Sequence, residues 1–108
     1  MPYLPVYEIK AGETQTLSID FEGKLPTGVG FAASGHSVSS IGFYSRTTDN
    51  TILGGLTPTV SGTVVSVVVL NVLLHERYEL TFTLTADDGT PSIIVEKVLV
   101  IGVAQLSN

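Results

Sequence analysis

An all-β sandwich with no substantial helix is the fold these 108 residues predict, and three observations carry the prediction. Apolar residues alternate with period two, and no stripe at three-and-four spacing persists for ten residues. Short apolar runs return at roughly 8–12-residue intervals. Between them stand Gly, Pro, Asp and Asn, the residues that accept turn geometry.

Tyr78 to Gly89 is the clearest element. Tyr78, Leu80, Phe82, Leu84 and Ala86 alternate with Glu79, Thr81, Thr83 and Thr85, the signature of a central strand with one polar face. Asp87-Asp88-Gly89 tolerates positive φ and turns the chain back into the apolar run Ile93 to Ile101, which predicts a hairpin.

In chain order, Met1 to Glu8 carries Pro2 and Pro5, which remove two backbone donors and favour an edge strand or an arm reaching a neighbour. Ala11-Gly12-Glu13 is a turn, after which Leu17, Ile19 and Phe21 face a core across a second strand. Glu22 to Gly30 is turn-rich and leads to a loop holding His36. Val38 to Thr47 reads as a third strand of mixed polarity, with Phe43 and Tyr44 on opposite faces. Thr48-Asp49-Asn50 and Gly54-Gly55 enclose a short segment around Ile52 and Leu53. Thr57 to Val60 is a brief strand ended by Ser61-Gly62.

Thr63 to Leu74 is apolar on both faces over most of its length, and Ile93 to Ile101 repeats that feature. Two-sided apolar strands belong to sheets covered on both sides, whereas a small sandwich covers one. The second face should therefore meet a neighbour. The expected docking residues are Val64, Val68, Leu70 and Val72 on the first run and Ile94, Val98 and Val100 on the second, with Tyr3 and Leu4 of the arm; Glu96 and Lys97 serve as deterrent charges. Residues 1–10 are then an arm or edge strand, residues 11–103 the sandwich, and residues 104–108 a tail. About seven strands so separated fit an immunoglobulin-like antiparallel arrangement, with a small barrel as the competitor.

Composition narrows the function. Hydrophobic residues make up 44% and charged residues 14%, enough for one well-filled core. Ten acidic against five basic residues give a net charge of -5 with no Lys/Arg cluster, which disfavours nucleic acid. Without cysteine there is no disulfide, thiolate nucleophile or thiolate metal site. The most apolar window, Val64 to Leu74, is about half a membrane helix in length, so no membrane span is expected. Nor does the N-terminus show a basic segment followed by an apolar core, the mark of a secretory signal.

No catalytic constellation emerges, and the expectation is a protein that is not an enzyme and needs no cofactor. His36 and His75 lack partners at metal-ligand spacing and read as loop and turn residues. No serine has the Gly-x-Ser-x-Gly context. Asp87 and Asp88, with Asp49 and Glu76, could hold a calcium ion, but turn chemistry already explains the Asp pair. Tyr78, at the entry to its strand, reads as a structural corner whose hydroxyl returns to the backbone.

Ala11-Gly12-Glu13-Thr14 before an alternating strand, Val60-Ser61-Gly62-Thr63-Val64-Val65, and Tyr78-Glu79-Leu80-Thr81 followed by Asp88-Gly89 and a Val/Ile-rich strand resemble small immunoglobulin-like proteins of tailed bacteriophages. Those are fiber-tail adaptor or head-decoration modules. The resemblance covers about residues 11–103, and it departs from the adaptor pattern in having no Trp and in carrying His75-Glu76-Arg77 before the Tyr. It implies a structural virion protein, assembled in the host cytoplasm, that oligomerises and docks on capsid or tail proteins. The alternative is a bacterial surface module recognising carbohydrate or a receptor, for which Tyr3, Tyr7, Phe43 and Tyr44 are the candidate aromatics.

Overall fold

The computed structural model describes residues 4–89 and 92–104. Eight strands form two facing sheets: β1 (Val6–Lys10), β2 (Gln15–Asp20), β3 (Gly30–Phe31), β4 (Ser37–Gly42), β5 (Thr59–Ser61), β6 (Val64–Val69), β7 (Arg77–Asp87) and β8 (Ser92–Val103). The helical content among the described residues is two single 3-10 turns, Glu22–Lys24 and Asn50–Ile52.

β7 is the middle of the larger sheet. It pairs antiparallel with β8 from Arg77↔Ile101 to Ala86↔Ser92, and on its other edge with β4 and the short β3. β1 adds parallel to β8, Val6 beside Leu99 through Lys10 beside Val103. The smaller sheet is β2–β6–β5. β5 and β6 are joined through Gly62-Thr63, with Gly62 at φ 62, the positive angle required at the first central residue of a type II′ turn.

The alternation of each strand places one row between the sheets. Leu17, Ile19 and Phe21 meet Val65, Val67 and Val69 from the smaller sheet and Val38, Leu80, Phe82, Leu84, Val98 and Val100 from the larger. Phe21 packs edge-on against Phe82 with ring centroids 5.8 Å apart. Each of these side chains contributes at most about 1.5–3 kcal/mol of burial. Removing the fully buried Phe82 ring would cost roughly 3–5 kcal/mol.

Several elements differ from the sequence expectation. The third strand stops at Gly42 and not at Thr47, because Gly42 and Thr47 close a tight turn in which Arg46 adopts φ 55. β6 stops at Val69 and not at Leu74. Leu70 leaves the strand to donate to the Ile52 carbonyl, and Asn71 takes φ 57. At the same end Gly102 lies so close to the Leu73 carbonyl that a Cβ would collide with it.

Candidate docking surface

The register across β7 and β8 decides which way the valines and isoleucines of β8 point. Ile94, Val98 and Val100 lie opposite Leu84, Leu80 and Tyr78, all on the core side. Val98 and Val100 are fully buried and Ile94 packs at the core margin, so these three are corrected from docking residues to interior ones. The outward row is Ile93, Val95, Lys97, Leu99 and Ile101, with Val6 of β1 extending it beside Leu99. Ile93 is 61% exposed and Val95 52%. Surplus apolar surface exists on this strand, on the opposite face from the one expected.

On the same outer face, β7 presents Thr81, Thr83 and Thr85, and between Leu99 and Ile41 it presents Glu79. Glu79 is only 7% exposed. Its carboxylate accepts from both Arg46 guanidinium nitrogens, at 3.3 and 3.5 Å, and Lys97 Nζ stands 3.8 Å away. A buried carboxylate is tolerated only when paired, and two cations from different turns and strands meet that condition. Lys97 is thus engaged within its own sheet. Glu96, on the core side, is bound to Lys24 at 3.6 Å.

The smaller sheet exposes less. Val64 and Val68 point away from the core, and Val68 is 39% exposed, while Gly54 packs against its side chain. Val72 is buried, because the left-handed turn at Asn71 breaks the two-residue alternation and swings it into the core; it too is corrected to an interior residue. Leu70 is half-buried at the strand's end.

A groove of about 580 Å³ runs along the flank where β8 and β2 stand apart. Leu4, Tyr7, Ile19, Phe21 and Val98 line it, and the Lys24–Glu96 pair and Asp20 rim it. Asp20 accepts from the Thr63 hydroxyl at 2.7 Å and from Glu22 N–H at 2.9 Å, and these bonds, the hydroxyl first, hold its carboxyl below the usual carboxylate range. Leu4 therefore sits by the flank, while Tyr3 lies outside the described residues, as do residues 105–108 of the expected tail.

Neither histidine forms part of a reactive pair. His36 lies in the loop between β3 and β4, as expected, but it is buried there: Thr85 N–H donates to its Nδ1 at 3.2 Å, and its Nε2 is 2.8 Å from the Ala32 carbonyl. Between β3 and β4 the chain bulges away from β7, and the imidazole fills the missing ladder position. His75 is exposed at φ 67, in the turn leading to β7.

Tyr78, next along, is buried, and its hydroxyl accepts Leu73 N–H at 3.3 Å. Burial pushes the phenol pKa above its ordinary value, the Leu73 bond opposes this, and Asp49 and Glu76 add to it.

Asp49, Glu76 and the Asp87-Asp88 pair do not converge. The eleven residues of β7 separate Glu76 from Asp88, Asp49 caps the second 3-10 turn, and Asp88 accepts from the Ser92 hydroxyl. Phe43 and Tyr44, expected on opposite faces of a strand, lie instead in the Gly42–Thr47 turn with ring centroids 5.2 Å apart. The Arg77 guanidinium is 6.0 Å from the Tyr44 centroid, and Tyr44 is 68% exposed. Tyr7 faces inward and packs on the core. Comparison with family models, with curated proteins and with solved structures finds no match.

Proposed function

We propose that this chain is a non-enzymatic, immunoglobulin-like structural module of a bacteriophage virion, assembled in the host cytoplasm, that docks on copies of itself and on capsid or tail proteins. The observation that carries the docking part is the outward row of β8, where Ile93 and Val95 stand in water on a long strand of the larger sheet. Exposed apolar strand surface is selected against unless something covers it. The immunoglobulin-like part is supported by β8–β7–β4 facing β2–β6–β5, by β1 parallel on β8, and by a buried Tyr at the start of β7 bonded back to the preceding turn. The virion part is supported by the sequence resemblance of residues 11–103. The non-enzymatic part is supported by the engagement of His36 with two backbone groups and of Glu79 with two cations.

A tagged copy expressed in the cells that encode the chain tests the virion reading. The tag should band with particles on a density gradient and appear as density on their surface. Particles that lack it would contradict the reading.

The Phe43–Tyr44–Arg77 cluster favours one second reading, a surface module recognising carbohydrate, because an exposed aromatic face beside a cation can stack on a sugar ring. Binding on a glycan array that is lost with Tyr44→Ala would support it, and an empty array would remove it.

A further inference from the structure

The open half of β8 is its own complement. β1 covers β8 only from Leu99 to Val103, so among the described residues no strand pairs with the edge from Ile93 to Val98. Leu99 N–H donates to the Pro5 carbonyl at 2.8 Å, and by the alternation of a strand the N–H and C=O of Ile93, Val95 and Lys97 point to that same side. The other long edge, β2, presents Thr16, Ser18 and Asp20 outward, whereas this one presents Ile93 and Val95. Such an edge is a template for another strand, and Ile93 to Val95 contain neither a proline nor a charge to deter one.

We infer that the partner at this edge is a second copy of the chain, paired antiparallel to β8 about a twofold axis through Ile94. This deepens the docking reading above and rests on it. A twofold axis normal to the sheet keeps outward residues beside outward residues, so the possible registers can be compared one by one. Centred on Val95, the pairing sets Lys97 of one copy against Ile93 of the other and Glu96 against Ile94. With Glu96 at the centre, two like carboxylates stand directly opposite, and the pairing calls on the Leu99 donor that Pro5 already occupies. A centre at Ile93 would need an N–H from position 91, which is proline. Centred on Ile94, Ile93 meets Val95 of the other copy twice on the outer face, and Ile94 meets itself at the margin of the core. That register sets apolar against apolar at its three central pairs, with Ser92 facing Glu96 on either side of them, and the centre is the arrangement cross-strand pairs favour.

The outcome is one continuous sheet across two subunits. Each subunit's β8 would be paired on both sides, by β7 and by its twin, and Ile93 and Val95 of the two copies would flank one another on the outer face.

Because the chain has no cysteine, Ile94→Cys makes a single-thiol protein whose oxidation reports this register. At a non-hydrogen-bonded antiparallel pair the two Cα atoms lie about 4.5 Å apart, within disulfide reach. Val95→Cys is the control: its own twin would be a diagonal neighbour at about 7–8 Å, beyond easy reach. The inference expects a covalent dimer with Ile94→Cys and at least a tenfold slower yield with Val95→Cys. Val95→Pro, which removes a donor facing the open edge and none facing β7, should weaken dimerisation at least tenfold in sedimentation.

Equal crosslinking by the two cysteine variants would overturn the inference, as would a monomeric wild type. If the wild type associates while Ile94→Cys stays uncrosslinked, self-docking stands and this geometry falls. A chain found on particles but monomeric alone would leave the virion reading intact and end this one. If Val95→Pro does not fold, the cysteine pair decides.

Discussion

Thr85 donates its backbone N–H to His36 Nδ1 at 3.2 Å, while its own carbonyl accepts Ala32 N–H at 2.9 Å and its hydroxyl donates to the Gly35 carbonyl at 2.8 Å. One residue of the central strand thereby anchors the whole bulge between β3 and β4. The imidazole acts as a substitute for a strand that is absent at that single position.

Replacing His36 by Ala leaves the part-buried Thr85 N–H without its acceptor, which costs up to about 1–3 kcal/mol. Chemical denaturation should show the loss without a change in slope. Amide exchange at Thr85 should accelerate by more than at Phe82, whose partners on β4 and β8 are untouched.

Tyr78 links the β6–β7 connection to the core, and Tyr78→Phe should cost roughly 0.5–1.5 kcal/mol at neutral pH by leaving Leu73 N–H without its acceptor. The folded state holds the phenol proton more tightly than the unfolded chain does, because burial disfavours the phenolate. Its contribution is therefore full below about pH 10 and is lost as the pH rises through the higher folded value. Unfolding midpoints measured from neutral to alkaline pH should fall more steeply for the wild type than for Tyr78→Phe. Parallel curves would contradict this assignment.

Arg46 combines an ion pair with an unfavourable backbone, φ 55, in a non-glycine residue. Arg46→Ala removes the closer cation from the buried Glu79 carboxylate and keeps the backbone cost, for a loss of about 1–2 kcal/mol. Arg46→Gly removes the same cation but relieves the backbone, so it should be the milder of the two. Thermal midpoints of both variants check the order, and Arg46→Gly at or below Arg46→Ala would show that the turn is not strained.

The fold class was legible because the decisive signals are local. Period-two alternation from Tyr78 to Ala86 and the Asp87-Asp88-Gly89 turn specify β7 and its hairpin with β8 without reference to anything distant. The docking face was less so, because a strand apolar on both sides carries no periodic signal about which row is inside. Here the count across the turn held the answer. Ala86 pairs with Ser92, so the even-numbered residues of β8 share the core side with Tyr78, Leu80 and Phe82. Glu96 obscured that count, since a carboxylate on the core side is tolerated only because Lys24 reaches it across the open flank.

Val72 was misplaced for a different reason. Asn71 can adopt either strand or left-handed geometry, and the choice is made by tertiary packing against Ile52 and Leu53. His36 and the Arg46–Glu79–Lys97 cluster depend on pairs 33 to 49 residues apart in the chain or on adjacent strands, so no local spacing announces them.

Sedimentation equilibrium of the wild type beside an Ile93→Ser, Val95→Ser double variant, from micromolar to submillimolar concentration, tests the central claim most directly. Both side chains are exposed, so the variant monomer should still fold and unfold cooperatively, without the concentration-dependent midpoint that association gives the wild type. The outward row of β8, if it is a docking surface, yields reversible association in the wild type and a monomer in the variant. A wild type that stays monomeric over the whole range, or a variant that associates equally well, would contradict it.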